Sequence, residues 1–210
     1  HTFFAPCPRG LEAALATELT NLGASQPQVV PGGVQFSGSL ELAYRANLWS
    51  RLASRVLLRV HECSYRSEHD IYEATRALRW QQWFSVDRTI RVDVTAIRSP
   101  LRSLEFATLR IKDAICDRFR DDMGRRPSVD TRAPDVRISA FLTDRAMTLY
   151  LDTSGEPLFK RGYRGETGEA PLRENLAAGV IVLSGWSANE MLMDPMCGSG
   201  TFVIQAAPMA

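Results

Sequence analysis

Met193-Asp-Pro-Met-Cys-Gly-Ser-Gly-Thr201 stands near the end of the 210-residue chain. The apolar residues before it predict a short strand over Glu190–Asp194, the glycines predict a tight turn, and Thr201 opens a helix. Gly198 and Gly200 carry no Cβ, so the backbone can turn left-handed there and pass close to a ligand. The N–H groups and dipole at the start of the next helix favour a carboxylate or a phosphate. The stretch therefore reads as a cradle for a small anionic or zwitterionic ligand.

Its spacing narrows the choice of ligand. A phosphate-binding loop needs Gly-Lys-Ser/Thr, and no lysine follows Gly200. A dinucleotide fingerprint needs a third glycine where this chain has Val203. The remaining candidate is the S-adenosylmethionine loop of class I methyltransferases. There an acidic residue, here Asp194, ends the first strand and two glycines pass the methionine moiety. A lone Gly-x-Gly is weak; Asp-Pro-x-x-Gly-Ser-Gly-Thr after an apolar run is far more specific.

Upstream of the loop, Asn175–Leu183 has helical spacing, and 155–170 is rich in Gly and Glu without periodicity, which reads as a linker. Before it, Ala146–Asp152 and Arg137–Leu142 form a hairpin around Asp144-Arg145. The clearest helix runs from Ser103, its cap, to Met123, with Leu104, Ala107, Ile111, Ile115 and Phe119 on one face and Gly124 closing it. Thr89–Ala96 alternates as a strand and Ile71–Ala77 reads as a short helix. The first sixty residues give a strand at Thr2–Ala5, a helix from Gly10 to Leu22, and a hairpin turning at Pro31-Gly32-Gly33. A helix capped by Ser39 and a strand over Ser54–Val60 follow. Strand, helix, two strands, helix, strand is the ferredoxin-like order.

Composition sets the limits. Net charge is +1, so charge alone gives no polyanion signal. Lys112 and Lys160 are the only lysines among 25 basic residues. Arginine presents a planar fork to phosphate and stacks on bases, although a GC-rich coding bias explains the skew as well. Cys7, Cys63, Cys116 and Cys197 are scattered without a Cys-x-x-Cys pair, which argues against zinc and a disulfide framework and points to a reducing cytoplasm. No run reaches the roughly 20 apolar residues of a membrane span. No metal is expected.

The chain resembles the THUMP-containing class I rRNA methyltransferases of the large-subunit guanine-N2 group, a group often labelled adenine-specific DNA methylases. The match starts at Phe4-Ala-Pro-Cys-Pro-Arg-Gly-Leu-Glu12 and continues through Tyr44–Arg55, Leu109–Ile115, Arg126–Asp130 and Arg161-Gly-Tyr-Arg164. It ends with Ala170-Pro-Leu-Arg-Glu-Asn-Leu-Ala-Ala178 and the glycine loop. The resemblance implies an α+β chain: a ferredoxin-like domain over 1–65, a THUMP RNA-binding domain over 66–155, a linker over 156–170, and the start of a Rossmann-like methyltransferase domain over 171–210. It implies that Asp194, Pro195, Gly198, Gly200, Thr201 and Pro171 contact S-adenosylmethionine, and that ribosomal RNA is the partner. The family's catalytic Asn/Asp-Pro-Pro-Tyr/Phe is nowhere in the chain, nor is the acid that would hold the ribose. The resemblance therefore implies the N-terminal piece of a longer enzyme, without catalytic residues and with little cofactor affinity of its own. The alternatives are an adenine-N6 DNA methyltransferase, a stand-alone RNA-binding module and a structural ribosome-assembly domain.

RNA contact is expected at Arg102, Arg110, Lys112, Arg125, Arg126, Arg161 and Arg164. Between Arg98 and Arg137, ten basic residues face seven acids, so the local excess is small. Periodicity alone favours a solvated helix face with ion pairs, such as Asp113 with Arg118, and only the resemblance raises RNA above that. Trp80, Trp83 and Phe84 could stack on bases, but core packing is the stronger reading.

Overall fold

The protein is described as a computed structural model covering residues 1–162 and 172–210. The chain divides into two compact units, one of His1–Leu57 with Glu156–Ala210, the other Leu58–Gly155. Helices and strands alternate in both, an α+β fold.

In the first unit, β1 (Thr2–Pro6), β2 (Ser25–Val30) and β3 (Gly33–Ser37) form an antiparallel set in the order β2-β3-β1. Val30 pairs with Gly33, so the turn is Pro31-Gly32, with Gly32 at φ 85°. A Cβ on Gly33 would sit 2.4 Å from the Ala5 carbonyl oxygen, so the close approach of β3 to β1 requires glycine. α1 (Glu12–Asn21) and α2 (Leu40–Trp49) cover the sheet. Phe3, Leu15, Leu19 and Phe36 are completely or almost completely buried, with the Phe3 and Phe36 rings stacked 5.3 Å apart. Ser39 caps α2 by accepting from the Leu42 N–H at 3.2 Å. The Glu18 carboxylate ties α1 to the chain after α2, accepting from Ser50 Oγ at 2.6 Å and the Arg51 N–H at 2.8 Å.

The second unit is built from β4 (Leu57–Ser64), α3 (Glu68–Arg76), β5 (Ile90–Ala96), α4 (Leu104–Met123), β6 (Val136–Leu142) and β7 (Ala146–Asp152). The first unit then resumes with α5 (Glu174–Ser184) and α6 (Thr201–Ala206). α5 lies against the start of α1, where the Leu11 side chain fills the space that a Cβ on Gly179 would need, 2.2 Å away.

The second unit's sheet runs β4-β7-β6-β5. β5 and β6 are parallel, from Ile90↔Val136 to Ala96↔Leu142, and α4 is the crossover between them. β6 and β7 are an antiparallel hairpin. Ser67 and Asp70 make a reciprocal capping box on α3, which packs on α4. Ser103 Oγ accepts from the Phe106 N–H at 3.1 Å, and Gly124 ends α4 in the left-handed conformation at φ 71°. Ala107, Ile111, Ala114, Ile115, Cys116 and Phe119 form the buried face of α4. Trp80 (fully buried) and Phe84 belong to this core, as the sequence reading favoured.

Four expectations need correction. The strand expected over Ser54–Val60 is β4, which begins at Leu57. Val56, Leu57 and Leu58 are all buried, so no alternation marks its start. The strand expected over Glu190–Asp194 does not form; these residues are turn and irregular chain. Strand geometry needs a hydrogen-bonded neighbour, and none among the described residues pairs there. Leu104, assigned to the apolar face of α4, is 38% exposed at the helix start. Asp113 pairs with Lys112 rather than with Arg118, whose partner is Asp122 one turn on.

Candidate cofactor loop and nucleic-acid interface

The glycine loop has the local geometry expected of it. Gly198 and Gly200 sit at φ 52° and 72°, and the Gly200 N–H donates to the Cys197 carbonyl at 2.7 Å. A Cβ at Gly198 would meet nothing within 4 Å, so glycine is required there by the backbone angle and not by space. Gly200 is the N-cap of α6, and Thr201 behind it is buried. Asp194 Oδ1 accepts from the Met196 N–H at 3.2 Å, which bends the chain at Pro195 into the turn. An amino-acid zwitterion fits this donor set: the N–H groups after Gly200 suit its carboxylate and the Asp194 carboxylate suits its ammonium. Pro171, the other cofactor candidate, lies outside the described residues. The described residues supply one wall, and Met191, Met193 and Met196 beside the loop are 90%, 78% and 90% exposed. Isothermal titration of these 210 residues with S-adenosylmethionine is therefore expected to give no binding below about millimolar Kd. Micromolar binding would show that the loop alone holds the ligand.

The four cysteines are free thiols in different surroundings. Burial, with the nearby Glu12 and Glu18 charges, pushes the Cys7 thiol up to about 11. Cys116 is also buried and raised, whereas Cys197 in the glycine loop is exposed. At pH 8 a chromogenic disulfide reagent should label Cys197 first and reach Cys7 and Cys116 only on unfolding. Fast labelling of Cys7 in folded protein would contradict its packing. No cluster of metal-ligating side chains occurs among the described residues, and no described helix is long and apolar enough to cross a membrane.

The basic residues divide by partner. Along α3 and α4, Arg76 pairs with Asp121 at 2.6 Å, Arg118 with Asp122 at 2.7 Å and Arg120 with Asp117 at 2.9 Å. Arg110 lies over the Tyr72 ring at 4.1 Å, and the Tyr72 hydroxyl donates to Asp117 at 2.8 Å. Arg125 pairs with Asp87 at 2.7 Å. This face is thus largely self-neutralised. Arg102 and Arg126 are different: both are exposed and make no ion pair among the described residues. Lys112 and Arg126 line a recess of about 410 Å³ with Cys116, Pro127, Ser128 and Val129.

Arg161 is spent on structure. Its Nε donates to Leu158 O at 2.9 Å, its Nη2 to Ser50 O at 2.5 Å and Asn47 O at 3.3 Å, and its Nη1 to Leu48 O. It caps the orphan carbonyls at the end of α2, which leaves little of the guanidinium for phosphate. Arg164 lies outside the described residues. Sequence reasoning missed the surface at Ile97, Phe106 and Leu109, all about half exposed beside Arg98 and Arg102, because exposure is not visible in periodicity. Arg98 itself stands at φ 57°, left-handed without being glycine.

Three consecutive stretches of the chain match known domains. Residues 2–57 match the RlmL ferredoxin-like domain, 65–152 the THUMP domain and 161–210 the RMKL-like methyltransferase domain. The middle of the chain is thus similar to THUMP domains and its C-terminal part to a methyltransferase domain. In particular, the chain is similar throughout to the ribosomal RNA large subunit methyltransferases K/L. Identity is 49% over 208 residues to that of Aeromonas hydrophila (99% of this chain, 29% of that protein). It is 47% over 209 residues to that of Psychromonas ingrahamii (100% and 28%). The chain thus spans less than a third of the length of these curated relatives. Among solved structures, a predicted N6-adenine-specific DNA methylase from Listeria monocytogenes aligns with TM-score 0.88 and 33% identity, covering 98% of this chain and 54% of that one. SMU.472, crystallised in complex with SAH, aligns with TM-score 0.87 at the same identity and coverage.

Proposed function

We propose that these residues form the RNA-binding front of an enzyme that transfers the methyl group of S-adenosylmethionine to the exocyclic amine of a guanine in large-subunit ribosomal RNA, in the cytoplasm. The observation that carries the reading is the order of parts: an RNA-binding domain type followed, after α5, by a left-handed Gly198/Gly200 turn that caps α6. Asp194, Pro195, Gly198, Gly200 and Thr201 would hold S-adenosylmethionine, which supplies an electrophilic methyl group when bound. The domain boundaries we assign are 1–65, 66–155, 156–170 and 171–210.

The division of labour follows from the residues. Lys112, Arg126 and Arg102 meet phosphates and set the register of the RNA, which carries little sequence information by itself. Arg110 and Arg125 are secondary contacts, because each already has a partner. An exocyclic amine in a paired base is out of reach, so the target base leaves its stack before alignment with the methyl donor. The 210 residues contain no Asn/Asp-Pro-Pro-aromatic sequence, and no residue here is assigned to the transfer itself. Mass mapping of ribosomal RNA from a strain lacking the gene is the test. Loss of one guanine methylation is expected; an unchanged guanine methylation pattern overturns the reading.

The likeness to a structure titled a DNA methylase favours one second reading, adenine methylation in duplex DNA. Competition decides between them. Structured RNA should displace a labelled RNA fragment from this chain at much lower concentration than duplex DNA of equal length, because A-form shape and 2′-hydroxyls differ.

A further inference from the structure

A second concave site lies in the first unit, away from the glycine loop's turn. It is a cleft of about 270 Å³ at the end of α2, closed by Leu158–Arg161 and by the facing sides of α5 and α6. The Arg161 clamp on the α2 carbonyls and the bond from Arg51 to the Pro208 carbonyl hold its walls. Trp49, 60% exposed, and Phe159 supply aromatic surface, and Glu174, Asn175 and Gln205 supply polar edges.

Asn175 is the anomaly. It is 1% exposed, and its Nδ2 donates to Ser54 Oγ at 3.0 Å, yet its Oδ1 is buried without a hydrogen-bond donor among the described residues. A buried acceptor left unmade is costly, and a partner for it is the simplest remedy. The rim carries Arg173 beside the Glu174 carboxylate in the first turn of α5. Arg173 stands over the Phe159 ring at 5.8 Å and precedes α5, an eleven-residue helix whose N-cap makes no side-chain hydrogen bond. Aromatic surface, an acceptor needing an N–H donor and an arginine at the rim are together the requirements of a nucleotide.

We propose that this cleft receives a single nucleotide of a bound RNA strand. Its base stacks on Trp49 and donates an amine or ring N–H to Asn175 Oδ1, and its phosphate lies at Arg173 and the start of α5. The assignment rests on the RNA reading above, and its test separates the two. Saturation-transfer NMR and calorimetry with GMP and with ribose 5-phosphate probe the cleft directly, while a structured ribosomal RNA fragment is titrated in parallel.

GMP should bind with millimolar Kd and ribose 5-phosphate at least about tenfold more weakly, since stacking on an aromatic side chain is the sequence-tolerant part of such sites. Trp49→Ala removes an exposed ring, so it should keep the unfolding midpoint of the native chain while weakening GMP about tenfold. Asn175→Asp, which keeps the acceptor, should retain GMP binding better than Asn175→Leu, with circular dichroism checking that both variants fold. Absence of GMP binding beside intact RNA binding overturns the cleft assignment alone, as does GMP affinity unchanged in Trp49→Ala. GMP binding without RNA binding supports the cleft as a free-nucleotide site and overturns its RNA source.

Discussion

Trp80→Ala should cost about 3–5 kcal/mol of stability in the second unit, the range for emptying an indole-sized core position. The indole is fully buried, with its ring centroid 6.1 Å from that of Phe84, which in turn lies 5.2 Å from Phe119 of α4. These tilted contacts tie the turn after α3 to the crossover helix. The indole Nε1 also donates to the Thr75 carbonyl at 2.9 Å, so truncation removes a buried hydrogen bond as well as leaving a cavity, although that carbonyl keeps the Leu78 N–H at 3.3 Å. A domain of this size holds about 5–15 kcal/mol in total, so the variant sits near the threshold of folding. Trp80→Phe keeps most of the volume and loses only the donor, and should fall between wild type and alanine. Urea unfolding followed by circular dichroism measures all three. An alanine variant within about 1 kcal/mol of wild type would mean that the cluster is not what closes this core.

The same element shows why part of the fold is legible in sequence. α4 could be read to within a residue because three independent signals agree: apolar residues at helical spacing, Ser103 with a free Oγ for a first-turn N–H, and Gly124 able to turn left-handed. The β2–β3 and β6–β7 hairpins are legible for the same reason, since Pro31-Gly32 and Asp144-Arg145 interrupt alternating runs. Signals that need a distant partner fail. Met191 and Met193 alternate like a strand, but alternation does not supply the neighbour that a strand must bond. Val56–Leu58 is buried throughout, so the start of β4 carries no period to read. Arg161 looked like an exposed cation in a polar segment, and only the fold brings it to carbonyls more than a hundred residues earlier. Periodicity favours an ion-paired face on α4 and only the resemblance raises RNA above it; the fold pairs Arg118 and Arg120 with Asp122 and Asp117 and brings Arg76 of α3 to Asp121. Periodicity reports burial well and pairing poorly. The glycine loop was legible because its requirement, two left-handed residues before a helix, is local.

On the proposed RNA-binding reading, that pairing singles out Lys112→Glu/Arg126→Glu as the surface change expected to do the most damage. Both side chains line the recess of the second unit, and Arg126 has no acidic partner among the described residues. Lys112 pairs with Asp113, its immediate sequence neighbour, at 2.8 Å, whereas Arg125 is tied to Asp87 on a different segment. Reversing both charges removes two phosphate contacts and adds repulsion. Affinity for a structured ribosomal RNA fragment should fall roughly 10- to 100-fold at low salt, and the slope of log K against log salt should flatten by about 1.5, since each lost contact removes somewhat less than one. Arg120→Glu and Arg125→Glu are the comparison, because these cations are held by Asp117 and Asp87 and should change affinity several-fold less. Neither recess residue is needed for the buried face of α4, so the unfolding midpoint should stay within about 0.5 kcal/mol of wild type. Filter binding at two ionic strengths decides the matter. Equal losses at Arg120 and in the double variant would place RNA on the self-paired face of α4 instead of at the recess. An unchanged salt slope in the double variant would remove Lys112 and Arg126 from the interface altogether.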